Sequence, residues 1–480
     1  MAREADVALQ LKIFRIAFAF GLFCVLLLAV RSMMFGSFGK AGLILAAMFG
    51  GALVFALDDK YWVLLPFLSG SGLSVPRLPF SGTEIGCLVL AAVFFVRLAL
   101  RKSTPFRFNR DLAIALPVLG WMTLVWMLNP VGLAIFGSNT IGGRFYFDIA
   151  LGAVALFVLS TIRMSESDAK ILFFAILFGM LWALARGIIF PGADPDAIIL
   201  TGAEPEKSTR YAFVICASIF MLLFSLLPLS SILASPVLIP LFSILAILVV
   251  YSGKRKAFAI LGIAPFLRAF LLGRERLLTS VVAVFGAVFL VFAIAGDRTL
   301  YRLPNSARRA LAVVAPQYRK SAEDGGIHDY FRHEMREQAR YIIQDSPWFG
   351  RKGFAMSIDQ TSWILFGGGR TSLFASHAYA GNWHSTWYAY AADFGIPCMV
   401  LWLFFSLYVL AFSYRACRRV VIGRYLPACC LYYSMVFFVD DIFSYLSGHS
   451  ANTTMKHFIC YGMLLAIVRS YRDLYRPVDT

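Results

Sequence analysis

In the stretch GNWHSTWYAYAADFGIPCMVLW, His384 and Ser385 stand just ahead of an apolar run entered through Gly395 and Pro397. An imidazole exchanges protons near neutral pH, which suits a general base that activates a hydroxyl nucleophile. The same ring in an aromatic loop also serves as a plain structural hydrogen-bond partner. Two other places carry charge where charge is costly. In VVYSGKRKAFAIL, Lys254, Arg255 and Lys256 interrupt one very long hydrophobic run, and in KSTRYAFVICASIF, Arg210 opens another. A cation at mid-span costs on the order of a few kcal/mol, and less near the interface. Either the side chains snorkel to water or a ligand compensates them. Arginine grips phosphate oxygens bidentately and does not lose its proton, so such a ligand fits a lipid-borne pyrophosphate.

A fourth feature is a stripe. His328 to Asp345 reads as an amphipathic helix ended by Ser346 and Pro347, and Arg332, Arg336 and Arg340 recur every four residues on one of its faces. Two readings stay open, a surface turned to solvent or lipid headgroups, and a hold for a phosphate-bearing ligand. His377, His384 and Asp393 have a spacing that fits no metal signature, so no metal is expected. Asp440, Asp441 and His449 form a proton-coupling or acceptor-binding cluster, or else a solvated helix end.

The elements that position these groups follow from composition. Of 480 residues, 60% are hydrophobic and 15% charged, and the mean hydropathy is +0.74, too apolar for one soluble core of that length. A spanning helix needs about 20 mostly apolar residues, and on that rule the chain holds roughly 12 to 14 spans. Clear runs are Ile13 to Val30, Ala41 to Leu57, Gly82 to Leu100, Leu112 to Leu128 and Phe147 to Ser160. Others are Ile171 to Phe190, Tyr211 to Leu227, Val237 to Val250, Ala257 to Leu272 and Thr279 to Ala295. Cys398 to Phe412, Leu426 to Val439 and Phe458 to Val468 follow, while Tyr61 to Leu73, broken by Pro66 and Gly70, is short or re-entrant. The N-terminal stretch is too polar for a secretory n-region, so the first run is expected to be a retained span.

The net charge of +17 is explained by orientation, not by nucleic acid, for which no binding signature appears. Lys12 and Arg15, Arg101 to Arg110, Arg268 to Arg276, Arg415 to Arg424, and Arg469 to Arg476 fall on one side if the short segment counts as a crossing, and that side should be cytoplasmic. Residues 129–145, 191–209 and 297–397 then lie outside. The expected organisation is a helix bundle over 1–296, an extracytoplasmic loop subdomain over 297–395 and C-terminal spans over 396–480. The whole is an all-α polytopic membrane protein. Eight cysteines are present, six in apolar stretches, Cys398 at the head of one and Cys417 in a short basic loop; they read as small apolar fillers without a disulfide.

The region from Tyr330 to Phe405 resembles the signature region of the O-antigen ligase and O-antigen polymerase superfamily, membrane glycosyltransferases of the GT-C type. The family pattern is histidine followed by Asn, Ser or Gln, nine residues, glycine, two residues, then Gly, Thr or Tyr. His384, Ser385 and Gly395 fit it, and Cys398 stands where the last residue differs. IIQDSPWFGRKGF is similar to the family's turn, with Pro347, Gly350 and Gly353 in register, and Arg332 falls where an arginine often opens the preceding helix. YSGKRKAFAIL resembles the family's helix break through Ser252, Gly253, Arg255 and Ala257, with Lys254 and Lys256 in place of small residues. Arg210 sits where the family has its other membrane arginine.

The resemblance implies an inverting, metal-independent transfer without a cofactor, from undecaprenyl diphosphate to an acceptor sugar hydroxyl at the periplasmic face of a bacterial inner membrane. His384 would help deprotonate the acceptor, and Arg210 and Arg255 would stabilise the departing diphosphate. Lys254, Lys256, Arg332, Arg336, Arg340 and Ser385 would bind substrate. The long loop and the number of spans favour a polymerase of O-antigen or exopolysaccharide repeat units over a ligase that transfers glycan to lipid A-core. A flippase or other transporter is the alternative of another class; it calls for charges deep inside several spans, whereas here they cluster at one boundary.

Overall fold

A computed structural model describes residues 57–72, 81–100, 110–129, 143–189, 212–252, 255–273, 325–353, 386–447 and 451–475. The expected runs at Ile13 to Val30, Ala41 to Leu57 (all but its last residue) and Thr279 to Ala295 lie outside them. Every element among the described residues is a helix, and four are long and apolar enough to cross a membrane: Gly82–Ala99, Arg110–Leu128, Glu166–Ile189 and Ile396–Arg419. Shorter apolar helices cover Phe145–Leu159, Ile215–Leu226, Leu238–Tyr251 and Ala257–Leu271.

The chain divides into two compact units, Met1–Leu64 and Leu65–Thr480. In the first, the described part is the 3-10 helix Asp58–Val63. It is followed by α1 (Leu64–Ser71), which at about 1.5 Å rise per residue is far short of the ~30 Å hydrocarbon core. The second unit continues with α2 (Gly82–Ala99), α3 (Leu116–Leu128), α4 (Gly143–Leu159), α5 (Glu166–Ile189) and α6 (Ile215–Leu226). Next come α7 (Leu229–Ala234), α8 (Leu238–Tyr251), α9 (Arg255–Leu271) and α10 (Gly325–Asp345). The chain closes through α11 (Thr386–Phe394), α12 (Ile396–Arg419), α13 (Tyr425–Ser447) and α14 (Ala451–Tyr475).

Local chemistry sets where these helices start. Ser81 and Glu84 form a reciprocal capping box on α2, satisfying two otherwise orphaned backbone donors. Pro397 occupies the first turn of α12, where a missing N–H costs nothing. Glu166 accepts from the backbone N–H groups of Arg424, Tyr425 and Leu426 at 2.7, 2.6 and 3.0 Å, so one carboxylate caps the positive end of α13. Helix α8 ends at Tyr251 and α9 begins at Arg255, on either side of the expected break, whose residues 253 and 254 lie outside the described residues.

Lipid offers no hydrophobic drive between helices, so close packing has to hold the bundle. Among the described helices the most intimate pair is α4 against α14. A Cβ on Gly152 would lie 2.7 Å from the Met455 Cα, and one on Gly462 3.1 Å from the Leu156 Cα. Both glycines therefore let the backbones touch. Seven described cysteines are buried free thiols. Cys417 differs from expectation: α12 continues through the basic residues to Arg419, so Cys417 is helical, with its Sγ 3.3 Å from the Ser434 hydroxyl and 4.0 Å from Cys430 Sγ. Hydropathy ends the run early because a helix turn rich in arginine leaves the apolar layer without ceasing to be helix.

Among the described residues, several basic helix ends gather at one end of the bundle. Arg163 pairs with Asp473 at 3.2 Å, Arg469 donates to the Ser160 carbonyl at 3.0 Å, and Gly273 abuts the Arg418 guanidinium. Asp111, next to Arg110, accepts from the Tyr408 hydroxyl at 2.7 Å. At the opposite end lie the start of α4, the ends of α3, α5 and α13, and the helices α10 and α11.

Candidate functional site

At that opposite end, the described parts of two of the stretches on which the resemblance rests fold onto each other. The turn after α10 and the end of α11 exchange backbone hydrogen bonds: Arg351 N–H to the Ala392 carbonyl at 2.7 Å, Gly353 N–H to Asp393 at 2.6 Å, and Ile396 N–H to Pro347 at 2.8 Å. Gly350 (φ 56°) and Gly395 (φ 91°) adopt a left-handed backbone, which only glycine enters cheaply. Space is as restrictive as conformation. A Cβ on Gly395 would strike the Trp348 carbonyl, and one on Gly350 the Ala392 carbonyl.

Side chains lock the same junction. The Arg351 guanidinium and the Asp393 carboxylate are 2.7 Å apart, with 14% and 2% of the side chains exposed, so the pair is desolvated. Trp121 of α3 donates to the Phe394 carbonyl at 2.9 Å and stacks on Phe349, and Asn129 donates to the Lys352 carbonyl at 3.2 Å. The junction is thereby tied to the bundle. Asp393, considered as a metal ligand from the sequence, is committed to Arg351.

Helix α10 runs from Gly325 to Asp345 and stops before Ser346 and Pro347 as expected, starting three residues earlier than His328. Met335 and Ala339 are fully buried against Ala389 and Ala392 of α11, with Ile342, Ile343 and Tyr388 around them. The basic stripe borders this contact. Arg340 pairs with Glu337 and donates to the Tyr388 hydroxyl at 3.2 Å. The Tyr388 hydrogen bond, then the neighbouring phenol and Glu337 charges, push its pKa above the usual arginine value. Arg340 is a fixed cation already engaged with protein. Arg336 differs, because its Nε is buried without a hydrogen-bond partner among the described residues.

Beneath α11 a polar chain enters the bundle. The Tyr390 hydroxyl meets Thr454 Oγ1 at 2.9 Å, and Tyr390 stacks on Trp402 at 4.5 Å between centroids. Ser406 donates to Asp441 at 2.9 Å, and His457 Nε2 lies 3.9 Å from the same carboxylate oxygen. Asp441 is therefore a buried member of the interior and not a solvated helix end, while His449 lies outside the described residues.

A cavity of about 520 Å³ opens beside this chain, between α1, α5, α6, α13 and α14. Arg186, Asp440 and Lys456 reach it from three helices, and Tyr432, Tyr433 and Ser218 complete its polar wall. Ala212, two residues after Arg210, lines it as well. The ring of Phe213 meets that of Tyr251 at 5.8 Å, so the described flanks of Arg210 and of the α8–α9 break are neighbours.

His384, Ser385, Arg210 and Lys254 lie outside the described residues. Arg255 and Lys256 open α9 and Arg332 belongs to α10, but their side chains are outside the description. Arg186 and Lys456 were not anticipated. Each sits within about a turn and a half of a helix end inside or beside an apolar run, and a lone cation there reads as an interfacial anchor. No protein-family model and no curated protein matches the chain.

Proposed function

We propose that the chain is an inverting membrane glycosyltransferase that moves a glycan from undecaprenyl diphosphate to an acceptor sugar hydroxyl at the outer face of a bacterial inner membrane, polymerising O-antigen or exopolysaccharide repeat units. One observation carries the reading. Two stretches about 40 residues apart in sequence, each singled out by its glycine spacing, are joined by three backbone hydrogen bonds and a desolvated ion pair. That junction fixes helix α11, and His384 and Ser385 immediately precede the first residue of α11.

In this reading His384 accepts the proton of the acceptor hydroxyl as its oxygen attacks the anomeric carbon. Arg210 and Arg255 spread the charge developing on the departing diphosphate, the task a metal ion performs elsewhere. Attack opposite the leaving group inverts the anomeric centre. Lys254, Lys256, Arg332, Arg336 and Ser385 hold donor and acceptor, and Arg340 buttresses α10 against α11 while adding to the positive field. The proximity of Phe213 to Tyr251 supports placing Arg210 and Arg255 around one ligand.

The test is transfer by the purified protein from a synthetic undecaprenyl-diphosphate glycan, with and without chelator. A ladder of extended chains that persists in chelator is expected. Hydrolysis without transfer, or no turnover of any lipid-diphosphate glycan, contradicts the proposal.

A further inference from the structure

The cavity between α5, α6, α13 and α14 is lined by charge that the transfer chemistry above does not use. Arg186 projects from the last turn of α5 and Lys456 from the second turn of α14, and neither forms an ion pair among the described residues. Asp440 of α13 is the third charged wall residue among those described, so the described lining carries two cations against one carboxylate. Arg186 is half-buried and Lys456 exposed, so both cations are open to a ligand that enters the cavity.

The wall is shaped around the guanidinium. A Cβ on Gly72 would come to 3.4 Å from Arg186 Nη2, and one on Gly187 would collide with the Ala212 methyl. Small residues keep this side of the cavity open. At about 520 Å³ it lies within the roughly 300–1,000 Å³ of pockets that enclose small ligands. Hydroxyls on Ser218, Tyr432 and Tyr433 add donors around the cations. A planar fork, an ammonium and several hydroxyls around a net positive space are complementary to tetrahedral phosphate oxygens.

We propose that this cavity is a phosphate-ester site in which Arg186 and Lys456 hold the phosphate oxygens. The Tyr390–Thr454 hydrogen bond ties α11 to the same turn of α14 that carries Lys456. A lipid-borne phosphate as its source rests on the transfer reading above; the phosphate chemistry does not.

The experiment is equilibrium binding to the full chain in phosphatidylcholine nanodiscs, with undecaprenyl diphosphate and inorganic diphosphate as separate probes. Loss of a charge-assisted contact weakens binding by roughly tenfold or more, so R186Q and K456Q each fall by about that factor. R186K falls less, and R472Q, exposed at the other end of the bundle, does not change. Dependence with the lipid alone assigns a lipid headgroup, and equal dependence with inorganic diphosphate assigns a free phosphate. Either supports the site. Amine-selective labelling of Lys456 in the unmodified protein is slowed by whichever probe binds, which keeps the test open should the variants misfold. Unchanged affinity in folded R186Q and K456Q, or no binding and no protection in the unmodified protein, overturns it. Arg186-dependent binding without glycan transfer sinks the transfer reading alone, and transfer with Arg186-independent binding sinks this one alone.

Discussion

The carboxylate of Asp393 lies 2.7 Å from the guanidinium of Arg351, and both are almost wholly withdrawn from solvent. Removing one partner of such a pair strands the other, at a cost of about 3–5 kcal/mol. Asp393→Ala is therefore expected to lower the thermal midpoint of the detergent-solubilised protein sharply. The exchange Arg351→Asp with Asp393→Arg recovers part of the loss. Equal midpoints for Asp393→Ala and the parent would remove the pair from the account.

The turn between α10 and α11 contains three left-handed residues in a row of four, Gly350, Lys352 and Gly353. Gly350→Ala meets the Ala392 carbonyl and is expected to destabilise strongly. Lys352 has a φ of 61° with a side chain present, a conformation that costs roughly 1–2 kcal/mol. Lys352→Gly relieves that strain against about 0.5–1 kcal/mol of extra chain entropy, a net gain of about 0–1.5 kcal/mol. Opposite signs in unfolding midpoints are the signature, and a stabilising Gly350→Ala contradicts the geometry.

Most of the bundle was legible from apolar runs, because every described helix that crosses the apolar layer has to display one. The polar helix ends were not. Glu166 to Lys170 precedes the run read from Ile171, yet it is helical because Ser165 and Asp168 cap the start of α5 reciprocally, while Glu166 is taken up by α13 across the bundle. Asp441 and Thr454 are polar and still buried, since Ser406 and Tyr390 satisfy them from other helices. Tertiary partners of that kind leave no local pattern. The same reason hid Arg186 and Lys456: only the packing of α5 against α13 and α14 shows that they share a cavity. The glycines at 350 and 395 were visible by spacing, although their mutual packing was not.

Gly152 and Gly462 let α4 and α14 approach at backbone contact. Leucine at either position forces the helices apart, and overpacking of this kind costs about 1–3 kcal/mol or more. Both variants are expected to show lower extraction yield and lower midpoints, with the double variant worse than either. Parent-like behaviour of Gly152→Leu would mean the interface is looser than described.

Arg255 opens α9 at the break after Tyr251. If its role is bidentate contact with a diphosphate, lysine cannot replace it. Arg255→Lys should lose nearly as much transfer rate as Arg255→Ala, about tenfold or more, while membrane insertion is unaffected. A fully active lysine variant would reduce its contribution to bulk positive charge.

The sharpest measurement is the initial rate of glycan transfer by purified His384→Ala beside the parent protein, with donor binding measured on the same samples. General base catalysis contributes roughly 10²–10⁴-fold, so a rate loss of that size with unchanged donor affinity is expected. A variant that folds, binds donor and transfers glycan at the parent rate contradicts the assignment of His384 as the base.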